Sequence, residues 1–174
     1  EESLKQEKKA YSLALQAQMN PHFLYNTLAV ISSAGAEHEC YEVENMCIEL
    51  SDMLRYITAY EKVSVALEEE AEHTKNYLSL MKARYEDLFS YDITIDEDLK
   101  KMTVPKLCIQ PLVENCFSHG FKEKEPPWHI SISMRGTPSR WELIIRDNGT
   151  GISQEQIDDI DERIKTVLRK KLPA

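Results

Sequence analysis

Residues 3–35 contain no glycine before Gly35 and a single proline, Pro21. Apolar residues recur along this stretch near the seven-residue spacing that is typical of coiled coils and helix bundles. A helix over 3–35 would span about 50 Å at 1.5 Å per residue, which is too long to be stable without a helical partner. We therefore predict one long helix over residues 3–35, with a kink or locally opened hydrogen bonds at Pro21.

A second amphipathic helix is predicted over about residues 41–60, where apolar residues follow the i, i+3, i+4, i+7 pattern. Gly35 and the polar stretch to Glu39 predict the turn between the two helices. A connection this short favours an antiparallel hairpin. Because two helices cannot cover their own apolar faces, we expect a homodimer through the hairpin, in the form of a four-helix bundle.

The pattern changes near residue 64, and the second half alternates between helical and strand periodicity. Its predicted elements are a helix over Leu67–Leu88, a strand around Tyr91–Ile95, a helix over Lys106–His119 that starts after Pro105, a β-hairpin formed by His129–Arg135 and Trp141–Asp147, and a final polar helix capped by Ser153 with Gln156. We predict an α+β fold: a long helical hairpin over residues 1–63, then an α/β sandwich with an antiparallel-leaning sheet over residues 64–174.

Composition limits the classes of partner. The net charge is −9 and no basic block is present, which disfavours binding to nucleic acid or to an anionic membrane surface. The four cysteines form no CxxC pair, so we expect reduced thiols in a cytosolic protein. No apolar run is long enough to span a membrane. Both ends look like cuts through a longer chain, and we expect any membrane anchor to lie outside this sequence.

A polar strip runs along the first predicted helix. Gln18, His22 and Asn26 are spaced i, i+4, i+8 and so share one face. A neutral imidazole has one unprotonated nitrogen near neutral pH and is a good phosphoryl acceptor. A single histidine on a helix is more often a structural or surface residue, so this strip alone does not establish a function.

The second polar cluster lies at the end of the predicted helix over Lys106–His119. Glu114, Asn115 and His119 recur there at helical spacing, and Gly120 ends the helix. An asparagine carbonyl oxygen is a suitable Mg²⁺ ligand. An asparagine-containing helix end before a loop would have the same pattern without any ligand.

A third motif follows the last predicted strand, where Asp147, Gly149 and Gly151 form an Asp-x-Gly-x-Gly sequence. Glycines let the backbone approach a ligand closely, and the carboxylate can accept a hydrogen bond from an exocyclic amine. An ordinary strand-to-helix turn could look the same.

Order and spacing make the three segments specific. NPHFLYNTL, QPLVEN…HG and DNGTGI resemble, in sequence order, the phospho-acceptor box, the N box and the first glycine box of the LytS/YehU-like sensor histidine kinase family. Intervening stretches such as LSDMLRY, YLSLMKARY and VPKLCIQPL are also similar, so the resemblance covers nearly the whole chain.

The resemblance implies a dimerisation and phosphotransfer hairpin followed by an ATP-binding domain of the gyrase, chaperone and kinase type. It implies ATP and Mg²⁺ as ligands, a response-regulator receiver domain as partner, and a cytoplasmic position in a bacterial inner-membrane protein. The implied roles are phosphorylation at His22, Mg²⁺ binding by Asn115, adenine recognition by Asp147, shaping of the pocket by Gly149 and Gly151, a pocket wall at His119 and Gly120, a polar helper at Glu114, and activation of His22 by Asn26 or by a carboxylate from the other domain.

The chain departs from the family pattern at two places. Phe23 after His22 is usual in the resembled family, where other histidine kinases often have an acidic residue, so activation of His22 must come from elsewhere. Ser118 stands where the family often has lysine. No glycine follows Ile152, so the second glycine box is absent, the domain is incomplete at its C-terminus, and we expect these 174 residues to bind ATP weakly. Two alternatives stay open: a catalytically degenerate dimeric scaffold, and a hydrolytic ATPase of the same fold, which Pro111 disfavours because it replaces a water-activating glutamate.

Overall fold

The computed structural model describes residues 21–59 and 62–171 of the chain, which combine helices and strands in an α+β arrangement, as predicted. The helices are α1 (Pro21–Glu37), α2 (Tyr41–Thr58), α3 (Leu67–Tyr85), α4 (Gln110–Asn115) and α5 (Gln154–Lys171). The strands are β1 (Ser64–Ala66), β2 (Phe89–Ile95), β3 (Thr103–Pro105), β4 (Trp128–Thr137) and β5 (Arg140–Asp147).

Helices α1 and α2 pack against each other in opposite directions. The Tyr25 hydroxyl, near the start of α1, lies 2.7 Å from the Thr58 hydroxyl at the end of α2. At the other end, the Cys40 N–H donates to the Gly35 carbonyl over 2.8 Å. The observed α2 agrees closely with the helix predicted over about 41–60. The predicted helical stretch before Pro21 lies outside the described residues. The kink predicted at Pro21 therefore stays a prediction.

The turn between α1 and α2 begins later than predicted. The sequence predicts a turn from Gly35 to Glu39, but α1 continues through Gly35 to Glu37. Gly35 is buried, and a Cβ there would lie 3.2 Å from the Glu44 nitrogen. Gly35 therefore serves the close approach of the two helices, while Glu39, at φ 57°, makes the reversal.

The hairpin leaves many apolar side chains exposed in the described part of the chain. The exposed large apolar residues on α1 and α2 are Phe23, Val30, Ile31, Tyr41, Val43, Met46, Ile48, Leu50 and Ile57. An apolar surface of this kind usually marks an interaction site. Burial of this surface against a second copy stays a prediction.

Helix α3 lies between the hairpin and the sheet. Leu67 and Leu78 are fully buried in a core that also contains Met53 of α2. The Ser79 hydroxyl donates to the Glu49 carboxylate of α2 over 2.7 Å. Helix α3 ends at Tyr85 and is followed by a short 3-10 turn to Leu88, where the sequence predicts a continuous helix. The hairpin and the second half thus share one apolar core.

The main sheet has the strand order β2-β4-β5. Strands β4 and β5 form the predicted antiparallel hairpin, whereas β2 pairs with β4 in parallel. A parallel pair needs a long crossover, and here it contains β3 and α4. Phe89, Ile130 and Ile132 are fully buried on the face that packs against the core. Strands β1 and β3 form a separate two-stranded antiparallel sheet.

Helix α4 starts four residues later than predicted. Residues Thr103–Pro105 pair with β1, so Pro105 ends a strand and does not start a helix. Leu107 has a φ of 58°, which interrupts any helix there, and the helix runs from Gln110 to Asn115. It continues as a π-helical turn to Gly120. The predicted helix over Lys106–His119 is therefore wrong at its start.

The last helix begins as predicted. The Gln156 N–H donates to the Ser153 hydroxyl over 3.3 Å, and the Ser153 N–H donates to the Gln156 carboxamide over 3.1 Å. This is the reciprocal bonding of a capping box. All four cysteines lie in the described ranges and are free thiols. Within those same ranges, no helix combines the length and the apolar character needed to cross a membrane.

Candidate active site

The end of α4, the end of β5 and the start of α5 surround an open cleft of about 1090 Å³. Its size falls at the upper end of ligand pockets in proteins. The residues that line it are Leu112, Asn115, Cys116, His119, Gly120, Lys122, Glu123, Leu143, Ile145, Asp147, Thr150, Gly151, Ile152, Glu155, Gln156, Asp159 and Ile160. Among the predicted site residues, the cleft brings together Asn115, His119, Gly120, Asp147 and Gly151.

One face of α4 and its π-helical turn supplies the first wall. Leu112, Asn115, Cys116 and His119 are spaced i, i+3, i+4, i+7, so they share one side of the helix. Among the described residues, none hydrogen-bonds to the Asn115 carboxamide, and the side chain is exposed. This amide oxygen is therefore available to a ligand.

Strand β5 supplies the opposite wall. Leu143 and Ile145 are half-buried and contribute apolar surface to the cleft, and Asp147 follows them on the same side of the strand. The combination of apolar side chains with a carboxylate at the end of the strand suits a heterocycle that carries an amine.

Gly120, Asp147 and Gly149 meet in a tight backbone contact beside the cleft. The Gly149 N–H donates to Asp147 Oδ1 over 2.8 Å, and the Thr150 N–H donates to the Gly120 carbonyl over 3.0 Å. A Cβ on Gly149 would lie 2.2 Å from that carbonyl oxygen, and one on Gly120 would lie 2.9 Å from Asp147 Oδ1. Gly149 is therefore required for steric reasons, whereas a side chain on Gly120 would displace the Asp147 carboxylate.

Gly151 is required for a different reason. It has a φ of 76°, and a Cβ there would meet no atom within 4 Å. The backbone conformation, not crowding, favours glycine at this position. The two glycines of the motif thus have separate physical roles, one in close packing with the end of the π-helical turn and one in the turn toward α5.

Cys116 lines the cleft with a thiol that is largely buried. Burial, followed by the negative charge of Asp147, raises the pKa of the Cys116 thiol to about 12. The thiol therefore stays protonated near neutral pH and is a poor nucleophile. The structure assigns it to packing and not to covalent chemistry.

Glu114 lies away from the cleft. Its carboxylate accepts a hydrogen bond from Gln110 Nε2 over 2.7 Å, and it does not belong to the described residues that line the cleft. Ser118 also lies outside the lining, where its hydroxyl donates to the Glu114 carbonyl over 2.9 Å. Lys122, which sequence analysis did not single out, lies in the turn after Gly120 and supplies a cation to the cleft.

His22 and Asn26 lie on the exposed face of α1 and not among the described residues that line the cleft. Asn26 Nδ2 is 3.3 Å from His22 Nδ1, as the i, i+4 spacing predicts. Gln18, the third member of the polar strip, lies outside the described residues. The structure therefore has a histidine on the hairpin and a separate cleft in the second half.

Sequence analysis also missed a buried polar cluster on α3, which lies against the start of α4. Glu70 and His73 are 0% and 3% exposed, although both are polar residues on α3. The signal was present, because they fall between Leu67 and Tyr77 on the buried face of an amphipathic helix. A charged residue in such a stripe predicts a specific partner.

The comparisons with known proteins agree with the resemblance. The family model of histidine kinases matches residues 10–89. Sensor histidine kinase YesM from Bacillus subtilis is 32% identical over 139 residues, which are 80% of this chain and 24% of the relative. Sensor protein LytS from Streptococcus mutans is 34% identical over 159 residues, covering 91% of the chain and 27% of the relative. LytS from Oceanobacillus iheyensis is 32% identical over 165 residues, covering 94% and 27%. The chain thus spans about a quarter of the length of these relatives.

Proposed function

Because this chain belongs to the LytS-like histidine kinase family, we propose that it binds Mg-ATP in the cleft and transfers the γ-phosphoryl group to His22. The observation that carries this proposal is the meeting of Asn115, Gly120 and Asp147 around one cleft. These residues come from two segments about 30 positions apart, and each segment alone is a weak motif. Their convergence on one site is hard to explain by packing requirements alone.

The cleft suits adenine on its β5 side. Leu143 and Ile145 would contact the faces of the ring, and Asp147 would accept a hydrogen bond from the exocyclic amine. Asp147 Oδ1 already accepts from the Gly149 N–H, which leaves Oδ2 for the base. The tight contact with Gly120 would hold the carboxylate in place.

The α4 side suits the triphosphate. Within the described residues, no group of three or more His, Cys, Asp or Glu side chains could hold a metal ion. Asn115 can contribute one oxygen ligand, so Mg²⁺ would be held jointly with phosphate oxygens and water, as is usual for this ion. When bound there, Mg²⁺ would neutralise charge on the phosphates. Lys122 would add a second positive charge where Ser118 offers none.

His22 would act as the nucleophile, with its ring nitrogen attacking the γ-phosphorus as ADP leaves. The attacking nitrogen must be unprotonated, and Asn26 can decide which nitrogen that is. In the structure the Asn26 Nδ2 group faces the ring and donates to His22 Nδ1. If the Asn26 amide rotated by 180°, its Oδ1 would face the ring instead, and the proton of the imidazole would be held on His22 Nδ1. Nε2 would then carry the reactive lone pair. Glu114 accepts a hydrogen bond from Gln110 and would affect nucleotide binding only indirectly, by helping to position α4.

The remaining parts of the proposal concern the partners. A second copy would cover the apolar surface of α1 and α2, and a receiver-domain aspartate would take the phosphoryl group from His22. Docking of the cleft onto His22 would require movement about a hinge near residues 61–66, of which residue 61 lies outside the described residues. We also infer a cytoplasmic position within a membrane-anchored parent protein, on the strength of the family resemblance.

Autophosphorylation from γ-labelled ATP tests the proposal. A longer version of the protein that continues beyond Ala174 should acquire acid-labile, base-stable label, and its His22→Gln variant should acquire none. Asn26→Asp should keep the label because its carboxylate can accept from Nδ1, whereas Asn26→Ala should lose most of it. The 174 residues alone should bind Mg-ATP weakly in a calorimetric titration.

Other outcomes would favour the alternatives. Nucleotide binding without label on His22 would favour a degenerate scaffold, and Ser118 would be the first residue to change. Release of free phosphate without a phosphoprotein would favour a hydrolytic ATPase, although Pro111 provides no carboxylate for water activation.

A further inference from the structure

A fully buried carboxylate holds the loop that precedes α4. Glu70 on α3 is 0% exposed, and its two oxygens accept hydrogen bonds from the backbone N–H groups of Leu107, Cys108 and Ile109. The Cys108 and Ile109 bonds to Oε2 measure 2.9 Å and 3.2 Å. A buried carboxylate is tolerated only when donors satisfy it, and these three donors come from one short loop. The carboxylate therefore determines the path of the loop.

The same carboxylate is bound from the hairpin. The Tyr56 hydroxyl, near the end of α2, donates to Glu70 Oε1. Burial, together with the bond to Glu70, raises the pKa of Tyr56, so the hydroxyl stays protonated and remains a donor. Lys106 lies over the Tyr56 ring at 4.9 Å from its centroid, and its Nζ donates to the Ala59 carbonyl over 2.7 Å. The end of the hairpin is thus joined to the α4 loop through one side chain.

A second branch leads from Tyr56 into α4 itself. The Tyr56 ring stacks on His73, with centroids 4.2 Å apart and an angle of 20° between the planes. His73 Nε2 is hydrogen-bonded to Gln110 Oε1, and Gln110 Nε2 donates to Glu114. Burial lowers the pKa of His73, so the ring is neutral and donates through Nε2. Gln110 is the first residue of the helix that carries Asn115.

We propose that Tyr56 and Glu70 are positioning residues that couple the end of hairpin helix α2 to the start of α4, and hence to Asn115. The coupling rests on the proposed function only where it concerns nucleotide binding. Movement of the end of α2 would withdraw the Tyr56 hydroxyl, one of the four donors to Glu70, and so loosen the carboxylate's hold on the three loop amides. Because α4 is only 6 residues long, displacement of its first residue reaches Asn115 within two turns.

The experiment compares Tyr56→Phe with Tyr25→Phe. Each variant removes one hydroxyl from the base of the hairpin, but Tyr25 bonds to Thr58 and not to Glu70. Hydrogen exchange of the amides at 107–109 is measured by mass spectrometry or NMR, together with affinity for a fluorescent ATP analogue in Mg²⁺. Circular dichroism checks that both variants stay folded.

Tyr56→Phe should speed exchange at residues 107–109 about ten- to a hundredfold, the expected effect of losing one hydrogen bond to a charged group, and weaken analogue binding by a similar factor. Tyr25→Phe should leave both within about twofold, because it does not reach Glu70.

Unchanged exchange at 107–109 in Tyr56→Phe would overturn the coupling, as would an equal increase in Tyr25→Phe. If the unaltered chain binds no analogue while Tyr56→Phe still speeds exchange, the coupling stands and the proposed nucleotide site fails. If the analogue binds equally to all three proteins despite faster exchange, the loop is coupled to the hairpin but Asn115 is not, which would overturn the second half of the proposal.

Discussion

The two ends of α4 differ in almost every physical respect. At its start, the buried Glu70 holds the preceding loop, the buried His73 bonds to Gln110, and both contact Tyr56 of the hairpin. At its end, Asn115 and His119 are exposed along an open cleft. At the start, Glu70 and Gln110 are hydrogen-bonded within the protein, and among the described residues His73 Nδ1 alone is buried without a partner, whereas the Asn115 carboxamide at the end is available to a ligand. Within one short helix, the contacts that stabilise the fold are thus at the first residue, and the groups accessible to a ligand are at the last.

The largest effect should follow removal of the buried carboxylate at the start. Glu70→Ala would leave three loop N–H groups, one of them fully buried, and the Tyr56 hydroxyl without their acceptor, and should lower the free energy of unfolding by about 3–5 kcal/mol. Urea denaturation measures this change in the free energy of unfolding. Glu72→Ala on the same helix is the control: Glu72 is exposed and forms an ion pair with the exposed Lys75, so the change should stay within about 0.5 kcal/mol. Equal effects of the two variants would refute a stabilising role for the cluster.

The next largest loss of stability should follow a change at the glycine that packs against the end of the α4 segment. Gly149→Ala would place a methyl group 2.2 Å from the Gly120 carbonyl oxygen, and should cost about 2–4 kcal/mol and abolish nucleotide binding. Gly151→Ala meets no neighbour and carries only the strain of a positive φ, about 1 kcal/mol. Thermal unfolding and nucleotide titration of both variants should preserve this order. A smaller loss for Gly149→Ala than for Gly151→Ala would contradict the tight contact that the structure contains.

The start of α4 should also respond to pH. Because the pKa of His73 is lower in the fold than in the unfolded chain, the unfolded chain binds a proton first as the pH falls below about 6.5. Stability should therefore decrease from pH 7 toward pH 5, by up to about 1.4 kcal/mol per pH unit from this residue. Burial is the main cause, the Gln110 bond, Glu70 and Glu114 act in the opposite direction, and Lys106 adds to the lowering.

Denaturation at several pH values, with His73→Gln beside the unaltered chain, measures this contribution. The variant should show a shallower loss between pH 7 and 5, and His38→Gln, on the exposed turn, should keep the original slope. Parallel pH profiles for His73→Gln and the unaltered chain would show that the buried ring does not carry the dependence.

The smallest effect should come from the charge in the cleft. Lys122→Ala should weaken Mg-ATP binding about three- to fivefold without changing stability, because an exposed lysine contributes through charge and not through packing. Lys124→Ala, two residues along and outside the described lining, is the matched control. Titration at low and high salt should show that the difference shrinks as ionic strength rises.

Local patterns predicted some elements well and failed where distant residues intervene. The helix at 41–58, the β4–β5 hairpin and the Ser153 capping box depend on neighbours within a few positions, so the sequence contains their full signal. The start of α4 was misplaced because Glu70, nearly 40 residues earlier, binds the N–H groups of the loop. The parallel pairing of β2 was missed because its crossover contains other elements.

The sequence by itself determined the family and the chemistry that each motif can offer: a histidine on a helix, an asparagine at a helix end and an aspartate before two glycines. These are properties of residue type and spacing, which local geometry preserves. The positions of these groups relative to one another depend on the three-dimensional fold. Asn115, Asp147 and Lys122 line one cleft, and Glu114 lies outside it. The fold alone also decided that Glu70 joins the hairpin to α4. Such contacts join residues that are distant along the chain, and burial, which gives them their energy, exists only once the core has formed.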